Sequence, residues 1–277
     1  MAEFALWFCV FYTWHVLGTV VGYHRLLAHR SFKCPKFVEY FFVMGGYLGF
    51  ESSPIWWATI HRAHHRYVDT ALDPHSPRFG NYRAYMGWIF TPKYPDYLDP
   101  RILAPDLVDD PLYRLFERRN NWHTSHLTNT AVGFGSRLIL WALFGWKIAL
   151  ASVVAGLVVQ QVPFMVNLLC HKPKLGYKNF EGEDDSVNIW WLTLITLGDN
   201  WHNNHHAYPG CARAGFRWFE VDIAWLSVRL LRALGLATMV NDRFDLTRAP
   251  APSATAEPVP VTIPATAPVQ IRTTSVR

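Results

Sequence analysis

Eight of the thirteen histidines in this chain fall into three short clusters: His24 and His29 in HRLLAH, His61, His64 and His65 in HRAHH, and His202, His205 and His206 in HNNHH. Neutral imidazole ligates Zn, Cu, Fe and Ni alike, so clustered histidines point to a transition metal without naming it. In the second and third clusters the i, i+3 and i, i+4 spacings place all three imidazoles on one helix face, where they can converge on an ion. The i, i+5 spacing of the first cluster turns about 140° around a regular helix. His24 and His29 are therefore expected to point apart, to serve different metals, or to stand either side of a helix end. Eight imidazoles exceed the four ligands of a closed zinc site, and two metals sharing the set is the economical reading. HRAHH alone also fits a basic membrane-facing patch, and a lone histidine in an apolar chain is more often a hydrogen-bonded core residue. His15 is read in that second way.

The elements that must position these residues lie in an apolar chain. Of 277 residues, 51% are hydrophobic, 16% aromatic and only 17% charged, so lipid is the expected solvent. The net charge of +5 is spread between apolar runs rather than gathered in a stripe, which argues for a membrane surface and against nucleic acid. Residues 4–22 form a run of about the ~20 residues that cross a bilayer, without the basic start or cleavage site of a signal peptide. Residues 134–170 are interrupted by GWK and predict two helices, 134–146 and 148–170, while the glycine-containing 37–50 run suits a buried or interfacial helix. Polar, histidine-bearing stretches at 51–132 and 171–217 lie between and after these runs. The expected fold is all-α: three transmembrane helices and a cytosolic helical cap that carries the histidines. Cys9, Cys34, Cys170 and Cys211 show no CxxC spacing and read as packing thiols. Residues 1–248 form the expected domain, and 249–277 a disordered Pro/Ala/Thr-rich tail.

The three clusters in this order, with an apolar hairpin between the second and third, resemble the membrane fatty acyl desaturases. The resemblance covers residues 1–240 and is closest to the stearoyl-type, delta-9 branch and its bacterial relatives. Flanking words agree: HRSF after the first cluster, DPHS at 73–76, and GDNWHNNHHAYP at 198–209. The resemblance implies a di-iron centre on the cytosolic face of a membrane, which for a bacterial chain is the inner membrane. Dioxygen and two electrons would be consumed there to place a double bond, at delta-9, in a saturated acyl chain carried by coenzyme A or a lipid. A membrane di-iron hydroxylase or oxygenase acting on a lipid or alkyl chain is the alternative.

The same resemblance assigns His24, His29, His61, His64, His65, His202, His205 and His206 as iron ligands, with no catalytic residue beyond the ligands. It adds NxxxH, here NLLCH, with Asn167 reaching iron through a water and His171 as the ninth histidine. Their i, i+4 spacing places both on one helix face. Metal-bound imidazoles donate their second N–H to an acceptor, and Asp73, His75 and Asp199 are the candidates, whereas Asp69 and Glu183 read as solvated loop carboxylates. Two departures stand out. The family usually has four spans, but here the first leads directly into HRLLAH, so this is a three-span form with its N-terminus outside, or the start is late. Thr59 and Ile60 in ESSPIWWATI occupy the place of an Arg–Asp pair that serves coenzyme A thioesters, which leaves a lipid-linked chain open. The sequence has no electron-carrier motif, so a separate ferredoxin, rubredoxin or cytochrome b5-like donor is implied, docking around Arg62, Arg66, Arg213 and Arg217.

Overall fold

A computed structural model describes residues 1–91, 95–117 and 121–247. The tail expected over 249–277, and with it the domain boundary, lies outside the described residues. The described chain is helical, with three isolated antiparallel bridges, Lys33–Thr238, Tyr177–Asn188 and Asn188–Trp201, and no strand among the described residues. The all-α expectation holds. All four cysteines are free thiols.

The first helix, α1 (Ala2–Leu17), continues without a break into a π-helix over Gly18–Ala28. Together they form one of two rods, among the described residues, long and apolar enough to cross a membrane; the other is α5 (Trp146–Leu169). Helix α2 (Lys36–Leu48), the short apolar run, lies against the first rod. Close approach explains its glycines, since a Cβ on Gly18 would collide with the backbone of Gly45 and Gly46. Helix α3 (Pro54–Tyr67) starts with proline, whose fixed φ suits a first helical turn.

The predicted hairpin is present, but its first arm, α4 (Trp122–Phe144), begins twelve residues before the expected 134. Its opening turns, WHTSHLTNT, are too polar to register as an apolar run. They are helical because Asn121 caps the start and the Thr128 and Thr130 hydroxyls bond to carbonyls four residues back. Asn129 ties α4 to the α2–α3 link, donating to the Tyr47 carbonyl and accepting from the Ser52 N–H. Gly145, at φ 90°, turns the chain into α5 in a conformation that only glycine adopts freely. Beyond α5 a loop-rich cap carries a single helical turn at Thr193–Thr196 and the helices α6 (His202–Ala207) and α7 (Ile223–Ala233).

Candidate metal centre

Nine histidines converge in two groups, drawn from the ends of these helices and from the cap. His24, His29, His61, His65 and His205 place ligand nitrogens within 4.8 Å of one another, and so do His64, His171, His202 and His206. The helix does end between His24 and His29, with His29 as its C-cap, but the expectation that the two point apart is corrected. Residues 18–28 are π-helical, so the chain bonds five residues back rather than four, and i, i+5 side chains stack. The His29 N–H reaches the His24 carbonyl at 3.0 Å, and the two rings lie 4.9 Å apart in the same group.

The other two clusters do present their imidazoles on one face, but that face spans both groups. From α3 the i, i+4 pair His61 and His65 enters the first group and His64 the second. From α6 the assignment reverses, with His202 and His206 in the second group and His205 in the first. The end of α5 adds His171 to the second.

A carboxylate accepts but cannot donate, so a histidine nitrogen beside one carries the proton. His24 Nδ1 lies 2.8 Å from Asp199, His64 Nδ1 2.9 Å from Asp73, and His171 Nδ1 3.1 Å from Asp69. Their Nε2 atoms point inward to other histidines and, in the neutral tautomer, present a lone pair there. His171 and His202 Nε2 face each other at 3.1 Å, His24 and His205 at 3.0 Å, and His65 and His205 at 2.9 Å. Burial holds His61, His65, His202 and His205 well below the usual imidazole pKa, which favours the neutral, ligating form. Opposed lone pairs about 3 Å apart repel unless a cation lies between them, and this donor set fits a pair of transition-metal ions.

Asp73 and Asp199 stand where expected, but Asp69 does not. Rather than a solvated loop residue it is 3% exposed, accepting from His171, the Ser76 hydroxyl and the Asp185 N–H. Burial opposes its charge, yet these donors hold its carboxyl well below the usual range. The chain turns inward there because Asp69 adopts φ 56°, a conformation that aspartate tolerates better than most residues. Glu183 is exposed, as expected; its neighbour Asp184, which sequence reasoning missed, lies 3.6 Å from His206 Nδ1. His75 orients no ligand through its ring. Its backbone N–H donates to Asp73, its ring packs 4.4 Å from that of His64, and its Nδ1 has no hydrogen-bond partner among the described residues.

The two asparagines of HNNHH serve position rather than coordination. Asn203 accepts the N–H groups of Asn179 and Phe180 and donates to the Phe180 carbonyl. Asn204 donates to the Ala214 carbonyl and to Glu220 and accepts from Asn179 and Asn188. A six-residue helix is marginal alone, and these bonds fix its register beneath three histidines.

A cleft partly open to solvent reaches His61, His75 and Asn167 between walls that include Trp57, Trp88 and Phe164. Asn167 thus faces the cleft beside the second group. Thr59 is buried with its hydroxyl on the Ile55 carbonyl, and Ile60 is part of the cleft wall. Two of the expected docking arginines are committed internally. Arg62 pairs with Asp106 and donates to the carbonyls of Leu27, Ala28 and Leu103, and Arg213 bonds the carbonyls of Gly215 and Phe216. Arg66 is half-buried, and Arg217 donates from an exposed position to Asn179.

Residues 3–235 match the sequence profile of the fatty acid desaturases. The chain is 37% identical over 226 residues to the sn-1 stearoyl-lipid 9-desaturase of Anabaena variabilis, covering 81% of this chain and 79% of that one. It is 37% identical over 242 residues to the sn-2 palmitoyl-lipid 9-desaturase of Nostoc sp. (strain 36), covering 85% and 81%. Against the acyl-CoA C20 Delta5-desaturase of Anemone leveillei it is 37% identical over 227 residues, covering 82% and 70%.

Proposed function

The chain belongs to the fatty acid desaturase family, and from that premise we propose that it places a delta-9 double bond in a saturated, lipid-linked acyl chain, using two iron ions and dioxygen. The observation that carries this reading is the convergence of nine imidazoles, with inward lone pairs, in one group of five and one of four. His24, His29, His61, His65 and His205 would hold one iron. His64, His171, His202 and His206 would hold the other, with Asn167 adjoining through a water. Bound iron supplies the dioxygen activation that takes hydrogen from an unactivated methylene.

The rest falls to the side chains. Asp73, Asp69, Asp199 and Asp184 fix ring orientation and raise ligand basicity. The aromatic walls of the cleft hold an acyl chain beside His61 and Asn167 and exclude water. The buried positions of Thr59 and Ile60 favour a lipid carrier, because neither presents a charge to a nucleotide headgroup. Crossing by the first rod, α4 and α5 would put the N-terminus outside and the histidines at the cytosolic face of a bacterial inner membrane. Electrons would come from a separate ferredoxin, rubredoxin or cytochrome b5-like donor, and residues 1–248 would form the working unit.

The test is expression in a host of defined saturated fatty acid profile, with double-bond mapping in its lipids and metal analysis of the purified chain. Lipid-borne delta-9 monoenes and close to two iron atoms per chain are expected. Products that gain oxygen, or one zinc without iron, would overturn the reading.

A further inference from the structure

The cap carries a large apolar surface that the metal centre does not use. Residues 190–199 form a lobe pinned at its base, where the Ile189 N–H reaches the Asn200 carbonyl at 3.0 Å and Asn200 Nδ2 returns to the Ile189 carbonyl. Its outer side is Trp190, 70% exposed, and Leu194, 78% exposed. Beside it runs α7, tied to the lobe by the Ala224 N–H on the Leu197 carbonyl at 2.8 Å. Ala224 and Val228 bury one face of α7, while Leu226, Leu230 and the C-cap Leu234 line the other at i, i+4 and i+8, exposed. Arg229 and Arg232 stand exposed on the same helix, and Trp218 precedes it, 93% exposed. Soluble surfaces seldom gather so many large apolar side chains.

The lobe also touches the first rod at an informative level. The Tyr12 hydroxyl donates to the Ile195 carbonyl at 2.7 Å. The rod is exposed or half-exposed from residue 2 to 14 and buried almost throughout from His15 to Ala28. Tyr12 therefore lies where the rod's surroundings change from outside the protein to its interior. It stands twelve positions before His24 along the rod. Tryptophan, leucine and a basic rim match a surface that lies against lipid.

We propose that the 190–196 lobe and the outer face of α7 form one patch seated in the lipid leaflet around the rods. The proposal rests on the membrane placement above. The occupant is lipid because the patch continues the exposed flank of the rod at Tyr12 and carries the arginines that suit lipid phosphates. Seating would also steady the segment leading to Asp199 and the third histidine cluster.

Single cysteines at Leu194→Cys and Leu230→Cys, in a Cys9→Ser/Cys34→Ser background, would carry spin labels in full-length protein reconstituted into phosphatidylcholine/phosphatidylglycerol vesicles. Glu181→Cys, on an exposed polar loop, is the aqueous reference. At positions 194 and 230 the label should collide readily with oxygen, with access to a water-soluble nickel chelate several-fold below the reference. Chelate access equal to the reference would overturn the proposal. So would shielding from both reagents, which would reveal a protein cover such as a second copy or an electron donor. Leu226→Cys, one turn away, gives the same reading if either variant accumulates poorly. The readout needs no turnover, so its failure leaves the desaturase reading standing, and an inactive chain can still show the patch in lipid.

Discussion

The two histidine groups differ in how their charge is balanced. The group of four has three carboxylates on its outer nitrogens: Asp73 on His64, Asp69 on His171 and Asp184 near His206. The group of five has Asp199 on His24, and that carboxylate is shared with Arg25, 3.5 Å away. One site therefore has many neutral donors and little compensating charge, while the other has fewer donors and more charge. Carboxylate partners make imidazole a stronger base. The lesson is that two sites built from the same residue type need not hold metal equally, and that the difference lies one layer out from the ligands.

Removing one ligand from each side tests this most strongly. His171→Ala leaves three imidazoles in the group of four and two carboxylates with partners, whereas His29→Ala still leaves four imidazoles in its group. His171→Ala should bring iron from about two per chain toward one and cut desaturation beyond the roughly 100-fold reached by outer-layer changes. His29→Ala should retain more iron and more product. Iron per chain and double bonds formed, at matched expression, decide it; equal losses would mean that the fifth imidazole is no reserve.

How much of this was legible beforehand follows from which forces act locally. The eight clustered histidines could be picked out because ligand type and short spacing are written in the chain, whereas His171 and Asn167 were implied by the resemblance to the family. The meeting of His24 and His29 could not, since apolar patterning does not distinguish five-back from four-back bonding in Gly18–Ala28. The division of each cluster between two sites was equally hidden, because a shared helix face does not say what stands opposite it. Asp69 was misread and Asp184 overlooked for a related reason. Their roles depend on a turn at φ 56° and on a loop more than 100 residues away, where Glu183, Asp184 and Asp185 look alike in sequence. Helix α4 lost its first turns because its Ser, Thr and Asn satisfy the backbone or neighbouring elements rather than a hydrophobic core.

The outer layer itself gives the next effect. Asp69→Asn keeps the shape but replaces one accepting oxygen with a donor, at a site surrounded by the donors of His171, Ser76 and Asp185. A loss of about 10- to 100-fold in iron affinity or activity is expected. Asp199→Asn should fall nearer the low end, because four other imidazoles remain and Asp222 still holds Arg25 at 3.0 Å. Graded chelation followed by iron analysis ranks the two. If Asp199→Asn releases iron first and further, charge compensation does not set the order.

The smallest effect should come from a histidine that belongs to neither group. His15 is fully buried, its Nδ1 lying 2.8 Å from the Gly45 carbonyl, with Arg137 3.4 Å from Nε2. It stands nine residues before His24 along the rod and belongs to neither group. His15→Ala leaves the Gly45 carbonyl without this partner at the crossing of α1 and α2, while Arg137 keeps the carbonyls of Gly133 and Leu48. The Gly45 carbonyl keeps the Gly49 N–H at 3.0 Å, so a loss of about 0.5–1.5 kcal/mol in stability is expected from the one missing hydrogen bond. Iron content and product position should stay as in the parent chain. Thermal unfolding in detergent reads the first and metal analysis the second. A variant that unfolds earlier but keeps two irons confirms that burial alone does not make a histidine a ligand, whereas loss of one iron would mean that the two groups extend farther down the rod than their nine members.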